Sequence, residues 1–247
     1  MNAEHEPRRS FILSRCATQR RGLELNPSRQ PITDRQRHDV LYVEVGPSGD
    51  LAHHSPDDSR MSGDRPPVAD AVWVPGVRLS ECLDHQPIFY AVASHVMEHV
   101  PDPLGWLRDI LDVLEPEGVI ALVLPHRDHT MDAQRPLTSF AQVVGWSLEK
   151  PVRPTPTQVM DFLTHALAAD GVSRHYADAE AIAFARRVAE EALHLDLHCS
   201  VWTPDSFMDV FARLVRTGLL DVEIDGPHRD YPGSRGDEFA VFLRRAA

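Results

Sequence analysis

Ile88-Phe-Tyr-Ala-Val-Ala93 and Val119-Ile-Ala-Leu-Val-Leu124 are uninterrupted runs with no alternation between apolar and polar positions. Such runs read as strands covered on both faces, the situation of a parallel sheet. Between them, Asp102 and Pro103 supply an N-cap and a first-turn residue, and Leu104, Leu107, Ile110, Leu111 and Leu114 recur at helical spacing. Pro116 and Gly118 then stop the helix. Strand, helix and strand make one βαβ unit, whose right-handed crossover lays the helix on a face of the sheet.

Working outward, Gly22-Leu-Glu-Leu-Asn26, Val40-Leu-Tyr-Val-Glu-Val45 and Ala71-Val-Trp-Val74 read as three earlier buried strands. Residues 46–68 are rich in Gly, Pro, Ser, Asp and His and read as loop with at most a short helix. From 139 to 197 the pattern turns helical, punctuated by Pro151, Pro154 and Pro156 and ending in an Ala-rich helix over Tyr176–Leu195. Thr203-Pro204-Asp205 caps a further helix that ends at Gly218, and Leu220–Ile224 and Glu238–Leu243 form a closing hairpin at a sheet edge. The expected fold is a doubly wound, Rossmann-like α/β domain over 20–247. Its sheet is mostly parallel with an antiparallel edge strand, and residues 139–197 are inserted as a helical cap.

Composition narrows the function. A net charge of -12 repels phosphate backbones and disfavours a nucleic-acid partner. The basic residues Arg8, Arg9, Arg15, Arg20 and Arg21 cluster in and just after a solvated N-terminal arm, residues 1–19. Cys16, Cys82 and Cys199 are few and scattered, which suits a reducing compartment and suggests neither disulfides nor a cysteine metal site. The apolar run Phe11–Leu13 is too short for a signal peptide or a membrane span, so a cytoplasmic protein without membrane contact is expected.

Glu24 and Glu44 end the first two strands, 20 residues apart, the distance at which an acid reaches the ribose hydroxyls of a bound nucleoside. The same spacing also fits two strand-end carboxylates facing water. Gly22-Leu-Glu-Leu-Asn-Pro27, Tyr42-Val-Glu44, Val92-Ala-Ser-His-Val-Met-Glu-His-Val-Pro-Asp102 and Leu114-Glu-Pro-Glu-Gly-Val119 resemble class I S-adenosylmethionine-dependent methyltransferases of the type 11-like kind. The resemblance covers about residues 20–138 and returns over 198–244. It implies a small-molecule methyl acceptor and S-adenosylmethionine as cofactor, bound by Glu24, Asn26, Glu44, Ser94 and His95. It also implies a helix after the first turn, with N-terminal amides facing the methionine carboxylate. Asn26 stands where the family has a Gly, and the further Gly residues of that motif are absent. The alternative is therefore a degenerate member of the fold that serves as a binding or partner subunit.

His95-Val-Met-Glu-His99 also matches the H-x-x-E-H zinc-peptidase pattern, but it follows a buried strand and precedes a Pro-Asp-Pro break. No long helix is available to carry it, so no metal centre is expected. A dinucleotide dehydrogenase is disfavoured because no G-x-G-x-x-G follows the first strand. Loops past the strand ends line the cleft of an open α/β sheet, and Pro125-His-Arg-Asp-His-Thr-Met-Asp132 with Arg135 lies there. From this loop and the return segment His198-Cys-Ser-Val-Trp202, His126, His129 and His198 are the candidate bases. Asp132, Arg135 and Trp202 are the candidate acceptor contacts.

Overall fold

The computed structural model describes residues 6–27, 31–46, 67–83, 86–168, 171, 173, 176–193, 195–234 and 236–246. Seven strands form one sheet: β1 Gly22–Leu25, β2 Val40–Val45, β3 Ala71–Trp73, β4 Ile88–Ser94, β5 Leu114–Pro125, β6 Val222–His228 and β7 Glu238–Arg245. Their order is β3-β2-β1-β4-β5-β7-β6. β1 to β5 are mutually parallel, and β7 runs antiparallel between β5 and the edge strand β6. The closing hairpin is therefore at the edge, with its antiparallel member one place inward. Reversal of β7 brings its first residue, Glu238, opposite Pro125 at the carboxyl ends of the parallel strands.

The two-residue side-chain period of a strand explains how one sheet carries two cores. Leu23, Leu25, Ala91, Ala93, Ile120, Leu122, Phe239 and Val241 point to one face, where they pack with Leu107, Ile110, Phe207 and Phe211. Those four lie on α3 Pro103–Val113 and α7 Pro204–Arg216. Both helices start as the sequence implies, with Asp102 accepting from the Gly105 amide and Thr203 from the Ser206 amide. Tyr90, Val92, Ala121, Val123, Ala240 and Phe242 point to the other face. Gly22 lies beside Tyr90 in the β1–β4 register, and a Cβ there would stand 2.1 Å from the phenol ring.

What covers that second face is not visible in the apolar pattern. Helix α1, Glu6–Leu13, lies within the expected solvated arm and sets Ile12, fully buried, among the sheet residues. Between β1 and β2, described residues 31–39 form turns, and Ile32 fills part of the same face. The helix expected after the Asn26 turn is absent among the described residues. A link this short has little length to spare for a helical crossover. Residues 47–66, expected as loop, lie outside the described residues.

Among the described residues, α4 Phe140–Glu149, α5 Pro156–His165 and α6 Asp178–Glu191 lie between β5 and α7, with α2 Leu79–Cys82 earlier in the chain. Val143 and Trp146 of α4 join the main core, whereas α5 and α6 close a small cluster of their own with Val159, Leu163, Ala185 and Val188. Among the described residues no helix is long and apolar enough to cross a membrane.

If α1 is integral to the fold, Ile12→Ala should destabilise the protein by about 2–5 kcal/mol, the usual cost of emptying a buried aliphatic site. Denaturant titration reads this directly. A change below about 0.5 kcal/mol, the surface norm, would mean that the helix does not hold the sheet face.

Candidate functional site

The carboxyl ends of β1, β2, β4 and β5 and the start of β7 converge on one edge of the sheet, where ligands sit in open α/β folds. At the end of β1, Asn26 adopts a left-handed φ of 45°, a conformation that Asn tolerates better than other non-Gly residues. Its backbone thus takes the path a Gly would take. Its side chain turns sideways, and Oδ1 accepts from the Val45 amide at 2.6 Å. Glu24 is 2% exposed and accepts from the amides of Ile32 and Thr33 at 2.7 and 2.8 Å, and from the Thr33 hydroxyl. Its carboxylate ties down the β1–β2 link. Glu44 stands partly exposed near the end of β2.

At the end of β4, His95 also takes a left-handed φ, 55°. Its Nε2 lies 2.9 Å from Glu238 Oε2. Arg8 donates to both oxygens of Glu238, at 2.7 and 2.8 Å, and to the Ser94 hydroxyl at 3.0 Å. The Tyr231 hydroxyl completes the set around Glu238. Burial pushes Glu238 up, but bonds to His95, Arg8 and Tyr231 outweigh it and hold the carboxyl far below its usual range. Burial alone would lower His95; the carboxylates of Glu238 and Glu98 instead raise it from 6.5 to about 9. Ser94 and His95 are thus held by two partners, Arg8 and Glu238, that the sequence reading did not single out. Glu238 could have been found from its place at the head of the last strand. Arg8 carries no local signal.

Past β5, His126 and His129 face each other on one short turn, ring centroids 4.7 Å apart. Burial, followed by the charge of His129, lowers the His126 pKa. Asp132 and Arg135 are inside the protein, each 1% exposed. Asp132 Oδ2 lies 2.5 Å from His198 Nδ1, and Oδ1 accepts from Arg135 at 2.8 Å. Arg135 also grips Asp161 of α5 at 2.7 and 3.0 Å. Burial would raise Asp132, but His198 and Arg135 more than offset it, and its pKa falls. The guanidinium is spent on two carboxylates, so Arg135 binds the loop to α5 and has no free fork for an acceptor. Trp202, expected at the acceptor, packs edge-on against Phe207 and Phe211 at 1% exposure, and its indole donates to Ser200. It belongs to the core.

Glu98 and His99 lie on the turn after His95, within the quoted string but outside the expected site. The Glu98 carbonyl accepts from the amides of Cys199 and Ser200, at 2.6 and 3.1 Å, which pins the return segment to the β4 turn. His99 and His198 meet edge to face, centroids 4.8 Å apart.

The family model of a methyltransferase domain matches residues 21–213. Among solved structures, the chain is similar to an S-adenosylmethionine-dependent methyltransferase from Mesorhizobium loti, at 13% identity and a TM-score of 0.48, covering 99% of each chain. It is also similar to the plantazolicin methyltransferase BpumL in complex with SAH, at 11% identity and a TM-score of 0.47, covering 99% of this chain and 84% of that one. A search of curated proteins gave no match.

The His95–Glu238 pair yields a pH signature. A histidine whose folded pKa lies above its unfolded value stabilises fully below about 6.5 and loses that contribution as pH rises through about 9. In Glu238→Gln, the NMR titration midpoint of His95 should drop toward its ordinary value, and the loss of stability above neutral pH should flatten. An unchanged midpoint would remove Glu238 as the cause.

Proposed function

Since the chain belongs to the methyltransferase-domain family of S-adenosylmethionine-dependent enzymes, we propose that it methylates an oxygen or nitrogen of a small-molecule acceptor in the cytoplasm. The match over residues 21–213 is the observation that carries this reading. The cofactor supplies an activated methyl group on a sulfonium, so the protein's own task is largely positioning.

The residues at the strand ends fit that cofactor in part. Glu44, near the end of β2, is the ribose acid of the proposal, and the left-handed Asn26 turn leaves the backbone path open beside it. The side chains of Glu24 and Asn26 are engaged with Thr33 and Val45, so they act by shaping the turn. Ser94 and His95 form the neighbouring wall, held by Arg8 and Glu238. Proton removal falls to His126 or His129 at the mouth of the loop, or to His198, whose ring Asp132 orients. Helices within 139–197 form the cap over the acceptor. A net charge of -12 and three free cysteines agree with a small-molecule acceptor, no nucleic acid and a reducing compartment.

Consumption of Glu24 and Asn26 by the turn favours one second reading, a member of the fold that has lost methyl transfer and acts as a binding or partner subunit. Calorimetry with S-adenosylhomocysteine separates the two. An active enzyme should bind at micromolar concentration or tighter, about -8 kcal/mol or stronger. Glu44→Ala should weaken binding at least tenfold, about 1.4 kcal/mol, with an unchanged circular dichroism spectrum. Absence of binding at millimolar ligand would leave the subunit reading in place.

A further inference from the structure

We propose that Glu98, His99 and His198 form a binding site for a single divalent transition-metal ion of the zinc class. One ligand atom from each of the three lies within 4.8 Å of the others. Two imidazoles and a carboxylate make a donor set suited to zinc, with the fourth position left for water or another oxygen ligand. Bonds of about 2.1 Å to a tetrahedral ion would draw these atoms together by roughly an ångström, a side-chain adjustment.

Independent support comes from Glu98 itself. Its side chain is fully buried, and neither carboxylate oxygen has a hydrogen-bond donor among the described residues. The nearest nitrogens are His95 Nδ1 at 3.5 Å and His99 Nε2 at 3.9 Å. A buried carboxylate without hydrogen-bond donors is costly even with the His95 ring 3.5 Å away, and an ion bonded directly to it removes that cost. The second support is the orientation of the imidazoles. His99 Nδ1 lies 2.7 Å from Asp196, and His198 Nδ1 lies 2.5 Å from Asp132. The His198 ring therefore has its Nδ1 on a carboxylate and Nε2 remaining, the carboxylate–histidine arrangement found behind metal-bound imidazoles, and the Asp196 carboxylate lies beside the His99 ring. Arg135 holds Asp132 from the far side and so fixes the carboxylate behind the His198 ring.

The pattern His95-Val-Met-Glu-His99 fits a zinc-peptidase helix only where a long helix carries it. The site proposed here does not need one. It takes Glu98 and His99 from a single turn and recruits His198 from 99 residues downstream of His99, through the amides of Cys199 and Ser200 on the Glu98 carbonyl. It shares His198 with the bases proposed for methyl transfer but includes none of the residues assigned to hold the cofactor.

The test uses the full chain, stripped with a chelator, then titrated with Zn²⁺ against a competing chromophoric chelator and separately with Co²⁺. One equivalent should bind with a submicromolar Kd. Co²⁺ should give the visible bands of a four-coordinate nitrogen and oxygen site without a thiolate charge-transfer band, because the Cys199 thiol is turned to the His99 carbonyl at 3.4 Å. Glu98→Gln and His198→Ala should each weaken Zn²⁺ binding at least tenfold. Asp132→Asn should weaken it by about 10–100-fold through the second shell. His38→Ala and His228→Ala, elsewhere on the chain, should leave it unchanged. Stoichiometric binding that persists in Glu98→Gln and His198→Ala, or no binding tighter than about 10 μM by the wild type, would overturn the proposal. Should a variant fail to fold, the wild-type Co²⁺ spectrum decides alone: octahedral bands or thiolate charge transfer count against this site.

Discussion

Two amides on one carbonyl organise the cleft. By accepting from Cys199 and Ser200, Glu98 fastens the segment that returns from the helical region to the turn that ends the central strand β4. Asp132 reaches His198 from the loop after β5, and Arg135 carries the connection on to Asp161 of α5. Sheet, loop and α5 are thereby braced through a few buried polar contacts, where each donor lost leaves a partner unsatisfied at a cost of about 1–3 kcal/mol.

The cleft divides into groups already satisfied by the protein and groups that are not. Glu24, Arg135, Glu238 and Trp202 are engaged within the fold, and Asn26 is engaged through its Oδ1. Among the described residues the Glu98 carboxylate has no hydrogen-bond partner, and Glu44 and the paired rings of His126 and His129 are at least partly exposed. A sheet edge with this division can hold a ligand against a rigid wall, because the wall residues do not have to move to make room.

Most of the sheet was legible in sequence because its signals are local. The apolar runs of β4 and β5 and the Asp102 and Thr203 caps depend only on neighbours within a few residues; β4, α3 and α7 begin at those signals, whereas β5 begins at Leu114, which the helical spacing assigns to the preceding helix. Helix α1 was not legible: its single fully buried residue, Ile12, sits in a mostly polar stretch, and the face it covers is formed by strands far along the chain. Site residues divide in the same way. Ser94 and His95 follow from the end of a strand, and His198 and Asp132 from segments that the chain order brings back to the strand ends. Their partners Arg8 and Glu238 are 230 residues apart, a pairing that no local spacing can encode. Trp202 shows the reverse error, since its position in the chain placed it at the cleft while its neighbours Phe207 and Phe211, on the helix it precedes, drew it into the core.

The central claim is that the strand-end edge binds an adenosyl cofactor with Glu44 at its ribose and with Glu24 retained as a brace. A crystal structure of the protein with S-adenosylhomocysteine tests it most directly. The account predicts ligand density across the ends of β1, β2 and β4, a Glu44 carboxylate within hydrogen-bonding distance of the ribose hydroxyls, and Glu24 still bonded to Thr33. Ligand bound elsewhere, or a Glu24 that leaves Thr33 for the ribose while Glu44 stays in solvent, would contradict it.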